Sequence, residues 1–200
     1  MQPILVGINY SEQSPKVLRY AFRIAQFLDA KLLVAHYLDT EDPKVKQLNQ
    51  RAPANRVEAF EQLRLESEEQ LKDFIGEHRS KQFHSIPVQA VVGYGSAPEE
   101  LSQLAQQEGV NLLVMGKFTA SGWNLFADTP EKVIRWTHCP VLIVPEDYAF
   151  RTISRIVYAS NFELEDCGAL LYLLPWLEAF KGATLTCIHI CKNKEEQASA

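Results

Sequence analysis

The sequence predicts an α/β fold in which an open, five-stranded parallel sheet carries helices on both faces. Apolar runs of four to eight residues alternate along the chain with longer segments whose apolar residues recur at helical spacing. The runs are nearly continuous in Val, Ile and Leu, which is typical of strands buried on both faces of a parallel sheet. Strands that alternate with helices pair in parallel because each helix returns the chain to the start of the next strand.

The first part of the chain contains three predicted strands and two predicted helices. The strands cover residues 4–8, 31–38 and 88–92, and the helices cover residues 15–29 and 55–78. The longer helix is predicted from an apolar stripe formed by Val57, Phe60, Leu63, Leu71 and Phe74. Residues 40–54 are polar and include Pro43 and Pro53, so they are predicted to form a polar connection.

The next helix has a start signal in the sequence itself. Ser96 is followed three residues later by Glu99, which predicts a capping box, and Pro98 is tolerated in the first turn. The remaining predicted elements are the rest of that helix up to residue 107, a strand at 111–116, a helix at 130–138 and a strand at 141–144. One complete domain is therefore predicted over residues 1–148.

The segment after this domain repeats the start of the chain. Residues 4–11 (ILVGINYS) align with 156–163 (IVYASNFE), and, with one inserted residue, 30–38 (AKLLVAHYL) align with 183–191 (ATLTCIHIC). The alignment pairs Asn9 with Asn161 and His36 with His189. Residues 149–200 are therefore predicted to be the N-terminal part of a second domain of the same kind, a β-α-β unit.

This partial unit would leave apolar surface uncovered. Its helix carries leucines and a tryptophan on more than one face, in the order Leu170, Leu171, Leu173, Leu174, Trp176 and Leu177. Burial of each such side chain is worth about 1.5–3 kcal/mol. We therefore expect the natural protein to be longer, or the chain to associate through residues 152–191.

Five segments of the chain form a set of motifs: ILVGINYSEQS, LLVAHYLD, VVGYGSAPEEL, NLLVMG and EKVIRWTHCPVLIVPE. Together they resemble the motifs of the universal stress protein family, and the resemblance covers residues 3–146 and the start of the second unit. It implies the strand order 3-2-1-4-5, a cytoplasmic location and a role in stress survival, usually without catalysis. Tandem pairs of such domains are common in that family, and in this chain the second domain would be incomplete.

The resemblance also implies dimers formed through the fifth strand. This strand consists of four apolar residues with a proline on each side, and the residues of the predicted dimer edge are Val141, Leu142, Ile143 and Val144. An apolar edge strand invites pairing, and a twofold contact is the commonest way to close it. A homodimer is therefore the expected assembly.

A nucleotide loop is the second feature that the resemblance suggests. Members that bind ATP carry Gly, two residues, Gly, nine residues, then Gly and Ser or Thr, so that backbone N–H groups and a helix N-terminus contact the phosphates. Here Gly116 matches the first glycine, but Thr119 replaces the second, Ala127 and Asp128 replace the final pair, and the loop is two residues shorter. The residues that the resemblance implies for a nucleotide site, some of them as local substitutes, are Asn9, Tyr37, Gly93, Met115, Gly116, Lys117, Ser121, Gly122 and Thr129.

Asp128 decides between two interpretations of this loop. A carboxylate about 4 Å from a phosphate costs about 1 kcal/mol per charge pair even at the dielectric constant of water. As a helix N-cap the same residue is favourable by about 1 kcal/mol and needs no ligand. We therefore expect a degenerate nucleotide loop and no cofactor, and the alternative is an ATP- or AMP-binding stress sensor that uses a modified loop.

Composition argues against several other classes of function. The formal net charge is −5 and no run of Lys or Arg stands out, so a nucleic-acid partner is not expected. The most apolar stretch, residues 169–177, is too short to span a bilayer, so no membrane partner is expected. Cys187, His189 and Cys191 alternate along a predicted strand and are candidate metal ligands. The first copy has plain core residues at the two cysteine positions, which favours a structural interpretation and no metal.

Catalysis is not expected either. Related adenylating folds hold pyrophosphate with a glycine-rich loop after the first strand, and here that place reads NYSEQS, with no glycine pair. His36 and His189 lie inside apolar strands and are predicted to be hydrogen-bonded core histidines. The sequence also lacks a G-x-S-x-G elbow. The chain is therefore expected to be a non-catalytic, dimeric interaction module of the stress response.

Overall fold

The computed structural model describes residues 3–50, 56–116, 129–147, 150–161 and 163–189, without the side chains of residues 129 and 165. The chain divides into two compact units, residues 1–150 and 151–200. The sequence predicts the same division two residues earlier.

The first unit is built on a five-stranded parallel sheet. Its strands are β1 (Pro3–Gly7), β2 (Lys31–Leu38), β3 (Val88–Tyr94), β4 (Leu112–Gly116) and β5 (Val141–Val144). Their order is β3-β2-β1-β4-β5, as predicted, and all four pairings are parallel. On the central strand β1, Val6 lies opposite Val34 of β2 on one side and Val114 of β4 on the other. The fold is therefore an α/β, Rossmann-like one, and its centre is β1.

Helices cover the two faces of this sheet. They are α1 (Ser14–Leu28), α2 (Pro43–Asn49), α3 (Arg56–His78), α4 (Ala97–Gln107) and α5 (Thr129–Trp136), with a short 3-10 turn at Lys81–Phe83. α1 contacts α3, and α4 contacts α5, while both α1 and α4 contact β1. Because side chains alternate along a strand, Leu5 and Met115 pack with Leu101 and Val133 from α4 and α5 in one buried cluster.

The helix α2 corrects the prediction of a polar connection over residues 40–54. The carboxylate of Asp42 accepts a hydrogen bond of 2.8 Å from the backbone N–H of Lys44 and caps the helix, and Pro43 follows in the first turn. Val45 and Leu48 are its two buried residues. Two apolar positions in seven residues are too few to establish a helical period.

The helix predicted over 55–78 is confirmed as α3, but the predicted apolar stripe is wrong at its N-terminal end. Its buried residues are Leu63, Ser67, Leu71 and Ile75, a ridge of every fourth residue. Val57, in the first turn of the helix, is 81% exposed. Beside this ridge, the ring of Phe60 contacts that of Tyr94, with 5.0 Å between ring centroids. The ring of Phe74 contacts that of Tyr10, with 5.4 Å between ring centroids.

The predicted capping box at the start of α4 is also corrected. The helix begins where predicted, with Ser96 as the N-cap residue, but the Ser96 side chain makes no capping hydrogen bond. Pro98 has no N–H to donate, which removes one of the two donors that such a cap uses. The turn before the helix instead places Gly95 at a φ of +132°, against the side chain of Glu100.

The second unit consists of β6 (Arg155–Ala159), α6 (Glu165–Ala179) and β7 (Thr184–Ile188). The two strands pair in parallel, with Ile156 opposite Leu185. Leu171 on α6 is 65% exposed and Val157 on β6 is 63% exposed, whereas Phe180 is buried. That this β-α-β unit is a second copy of the first domain stays a prediction.

Candidate functional site

Several predicted site residues lie at the carboxyl ends of the strands of the first sheet. Asn9 follows β1, Tyr37 lies near the end of β2, Gly93 near the end of β3, and Met115 and Gly116 end β4. Strand order reverses between β1 and β4, and ligands of open parallel sheets bind in the crevice outside the carboxyl ends of strands at such a point. Thr129 is the first residue of α5. Lys117, Ser121 and Gly122, together with Thr119, Ala127 and Asp128, lie outside the described residues.

Asn9 is engaged by the start of α1. Its Oδ1 accepts hydrogen bonds of 3.1 Å from the backbone N–H of Ser11 and from the hydroxyl of Ser14. A side chain that bonds the backbone two residues further on stabilises a tight turn. Asn9 therefore shapes the turn between β1 and α1.

Tyr10 and His36 pack together behind this turn. Tyr10 has a φ of 57°, which sends its ring against His36, at 4.6 Å between ring centroids, and against Phe74. Burial raises the pKa of Tyr10 to about 12. The hydroxyl of Tyr10 is buried and makes no hydrogen bond with the described part of the chain.

His36 is held by the backbone, as predicted for a core histidine. Its Nδ1 lies 2.9 Å from the carbonyl oxygen of Ile8. Burial lowers the pKa of His36, and the Ile8 carbonyl opposes this to a smaller extent. Since a carbonyl only accepts, Nδ1 carries the proton. His189 of the second unit has the same arrangement, with Nδ1 2.7 Å from the carbonyl oxygen of Ser160, the residue aligned with Ile8.

Tyr37 lies over Gly93 at the ends of β2 and β3. A Cβ atom built on Gly93 would be 2.7 Å from Cε1 of Tyr37, so only glycine allows this close approach. Burial, together with the negative charge of Glu100, raises the pKa of Tyr37 to about 12. The ring therefore occupies this part of the crevice as a neutral phenol.

Gln13 is a site residue that the sequence does not reveal. It is 5% exposed, and its Nε2 donates a hydrogen bond of 2.6 Å to the carbonyl oxygen of Val144. The same side chain lies against Gly116, where an added Cβ would be 2.7 Å from Oε1 of Gln13. The side chain thus connects the start of α1 with the end of β5 across the end of β4. A glutamine in a polar turn gives no local sign of such burial.

The fifth strand lies at the edge of the sheet. Within the described ranges β5 pairs only with β4. Val141, Leu142 and Ile143 are half-buried, and Val144 is 1% exposed. The predicted dimer edge is therefore an accessible apolar strand, and the contact with a second copy stays a prediction.

The cysteine and histidine pattern of the second unit forms no metal centre in the part of the chain that the structure describes. Cys187 is exposed, and Cys191 lies outside the described residues. No group of three or more metal-binding side chains occurs among the described residues. None of the helices in those residues has the length and apolar character needed to cross a bilayer.

Solved structures of universal stress proteins have the same fold. One from Archaeoglobus fulgidus DSM 4304 matches with a TM-score of 0.71 and 19% identity, over 98% of this chain and 68% of its own. UspA from Lactobacillus plantarum matches with a TM-score of 0.53 and 19% identity, over 72% of this chain and 97% of its own.

A universal stress protein in complex with cAMP matches with a TM-score of 0.49 and 21% identity, over 73% of this chain and 98% of its own. A comparison with curated proteins gives no match.

The family model gives the most direct result. The model of the universal stress protein family matches residues 1–145, which include all five strands of the first sheet and both sides of the crevice. With the strand order β3-β2-β1-β4-β5 as well, the chain belongs to the universal stress protein family.

Proposed function

We propose that this chain is a non-catalytic, dimeric interaction module of the cytoplasmic stress response, with a nucleotide loop too degenerate to hold ATP tightly. The observation that carries the proposal is the position of Gln13. Its buried amide fills the space beside Gly116, at the end of β4 where strand order reverses. A phosphate in that space would have to displace the amide and break its hydrogen bond to Val144.

The neighbouring residues support the same interpretation. The side-chain Oδ1 of Asn9 already accepts hydrogen bonds from Ser11 and Ser14. The ring of Tyr37 also takes up the space over Gly93, at the ends of β2 and β3.

A non-catalytic role is supported by the bonding of His36. Its Nδ1 bonds a backbone carbonyl and its ring packs on Tyr10. General acid–base catalysis requires a group within hydrogen-bond reach of the reacting proton. A histidine engaged in this way serves the packing of β1 and β2.

Dimerisation is supported by the exposed apolar edge of β5. Val141, Leu142 and Ile143 are half-buried and belong to a strand that pairs with β4 on one side and, among the described residues, with no strand on the other. Edge strands of this kind are prone to pair with another chain. The proposed partner is therefore a second copy of this chain, through antiparallel pairing of the two β5 strands.

The alternative function is an ATP- or AMP-binding stress sensor. It is favoured by one observation, the start of α5 at Thr129, after a β4 strand that ends at Gly116. The N-terminus of a helix after such a strand offers free N–H groups and a positive dipole end to phosphates. In this case Gln13 would have to move aside when the nucleotide binds.

Isothermal titration with ATP and AMP separates the two functions. We expect no binding in the low micromolar range by the wild-type chain, and no nucleotide in mass spectra of the protein as purified. Gln13→Ala should bind ATP more tightly than wild type if the amide fills the phosphate space. Gln106→Ala, an exposed glutamine on α4, is the matched control. Tight ATP binding by the wild-type chain would favour the sensor.

A further inference from the structure

A basic groove runs along the outer side of α1. It has a cavity volume of about 370 Å³, which falls within the range of about 300–1,000 Å³ that is usual for small-ligand sites. Its main lining residues are Lys16, Arg19, Arg23, Phe83, Asp147 and Phe150. We refer to it as the α1 groove.

The three cations of the α1 groove lie on one side of the helix. Lys16, Arg19 and Arg23 are separated by three and four positions, so they follow one another along the same helix face. Seven residues of α-helix span about 10 Å. Long side chains at this spacing can converge on one ligand with several charges.

None of these cations is neutralised by an ion pair with a described carboxylate. Lys16 donates from Nζ to the backbone carbonyl oxygen of Glu146 at 2.7 Å. The guanidinium of Arg23 lies 5.2 Å from the centre of the Phe83 ring. The salt bridges in the described part of the chain involve other cations. Three positive charges thus face one carboxylate, Asp147, in a chain whose net charge is −5.

The walls of the α1 groove are held by the rest of the fold. Phe83 is 2% exposed and stacks on Phe22 at 5.2 Å between ring centroids. On the other side Phe150 packs edge-on against Tyr20 at 4.9 Å. A ligand would therefore meet a preformed groove and would order only the ends of the cationic side chains, which keeps the entropic cost of binding low.

We propose that the α1 groove binds a small phosphate-bearing anion with at least two negative charges. Two guanidinium groups offer the planar, bidentate donors that phosphate oxygens accept, and Lys16 adds a third charge. No lining residue belongs to the residues predicted for the nucleotide crevice. The α1 groove is thus independent of the function proposed above, and either can fail without the other.

Calorimetric titration of the whole chain with inorganic pyrophosphate at low ionic strength tests the proposal. We expect saturable binding that weakens as salt is added, because the charges are accessible to solvent. Arg19→Gln should weaken it by about tenfold or more, the usual worth of a hydrogen bond to a charged group. Arg19 has an exposed side chain, so this variant should fold normally. Arg19→Gln with Arg23→Gln should remove measurable binding.

The control variant removes two positive charges elsewhere. Lys132→Gln with Arg135→Gln changes exposed residues of α5 and leaves the net charge equal to that of the double groove variant. It should bind pyrophosphate as the wild type does. An equal loss in this control, or no binding by the wild type at millimolar pyrophosphate, would overturn the proposal. Equal affinity for succinate would overturn the assignment to phosphate.

Discussion

Gln13 and Val144 are joined by a buried hydrogen bond of 2.6 Å from Nε2 to the carbonyl oxygen, although 131 positions separate them in the sequence. The bond connects the turn that begins α1 with the end of the fifth strand. Between the two lies Gly116, whose missing side chain leaves room for the amide. One side chain therefore links the crevice predicted for a nucleotide to the proposed dimer edge.

Gln13→Ala should destabilise the chain by about 1–3 kcal/mol, because it leaves the Val144 carbonyl without its partner in a buried place. Urea denaturation followed by circular dichroism measures the free energy of unfolding. Gln106→Ala, on the exposed side of α4, should change it by less than about 0.5 kcal/mol. Equal free energies of unfolding for wild type and Gln13→Ala would show that the hydrogen bond makes no net contribution to stability.

Gly116→Ala should also destabilise the chain, by about 1–3 kcal/mol, since its methyl group would lie 2.7 Å from Oε1 of Gln13. In a Gln13→Ala background the clash with the amide is gone and only Cγ2 of Val17 stays close, at 3.2 Å, so the cost of the same change should fall. The double-mutant cycle in urea measures this coupling. Additive effects would mean that the two residues do not compete for space.

Leu142→Asp should convert dimers into monomers, because a carboxylate on the edge strand opposes pairing with a second copy. Sedimentation velocity gives the mass, and circular dichroism checks that the fold is kept. Ile134→Asp places the same charge on α5, where Ile134 is 53% exposed, and should leave the dimer intact. If Leu142→Asp stays fully dimeric, the interface lies elsewhere.

The pH dependence of stability should reflect His36. Burial lowers its pKa in the folded state, so the folded chain favours the neutral ring and the unfolded chain binds the proton more readily. The stabilisation is present above about pH 6.5, the unfolded value, and is lost as the pH falls through the folded pKa. Between about pH 6.5 and pH 5, the free energy of unfolding should fall more steeply for wild type than for His36→Gln.

The control for this experiment is His84→Gln, which changes an exposed histidine after the 3-10 turn. It should keep the acid-side slope of the wild type in urea titrations at several pH values. Parallel slopes for wild type and His36→Gln would contradict the role of His36.

Thr119→Gly with Asp128→Ser should raise the affinity for ATP. The first change frees the backbone to approach a phosphate, and the second removes a carboxylate that costs about 1 kcal/mol or more beside one. Calorimetric titration measures the dissociation constant. Asp128→Asn, which removes the charge alone, separates the two effects. No gain in affinity by either variant would mean that another feature, such as the length of the loop, excludes the nucleotide.

Much of the fold could be predicted because its strands are buried on both faces. The apolar run 31–38 predicts β2 with the bounds that the structure has, and the run 141–144 does the same for β5. The ends of such strands can be predicted because the sequence changes from apolar to polar residues where burial ends. The order of the strands followed from the family resemblance and is confirmed by the pairings.

Local structure that depends on a few contacts was harder to predict. The helix α2 has only two buried residues, Val45 and Leu48. The predicted cap of α4 depended on a hydrogen bond from a backbone N–H to the Ser96 hydroxyl, and this bond is not formed. Val57 fits the helical period of α3 but is 81% exposed. Periodicity tells which residues share a face and does not tell how far the neighbouring surface extends.

The sequence by itself determined the class of fold, the family and the edge of the sheet at which polar residues gather. Only the tertiary structure decided what fills that edge. Gln13 is buried because α1, β4 and β5 meet around it, and Lys16, Arg19 and Arg23 line a groove because Phe83 and Phe150 arrive from distant parts of the chain. Both arrangements depend on contacts between residues far apart in the sequence, and local patterns carry no information about them.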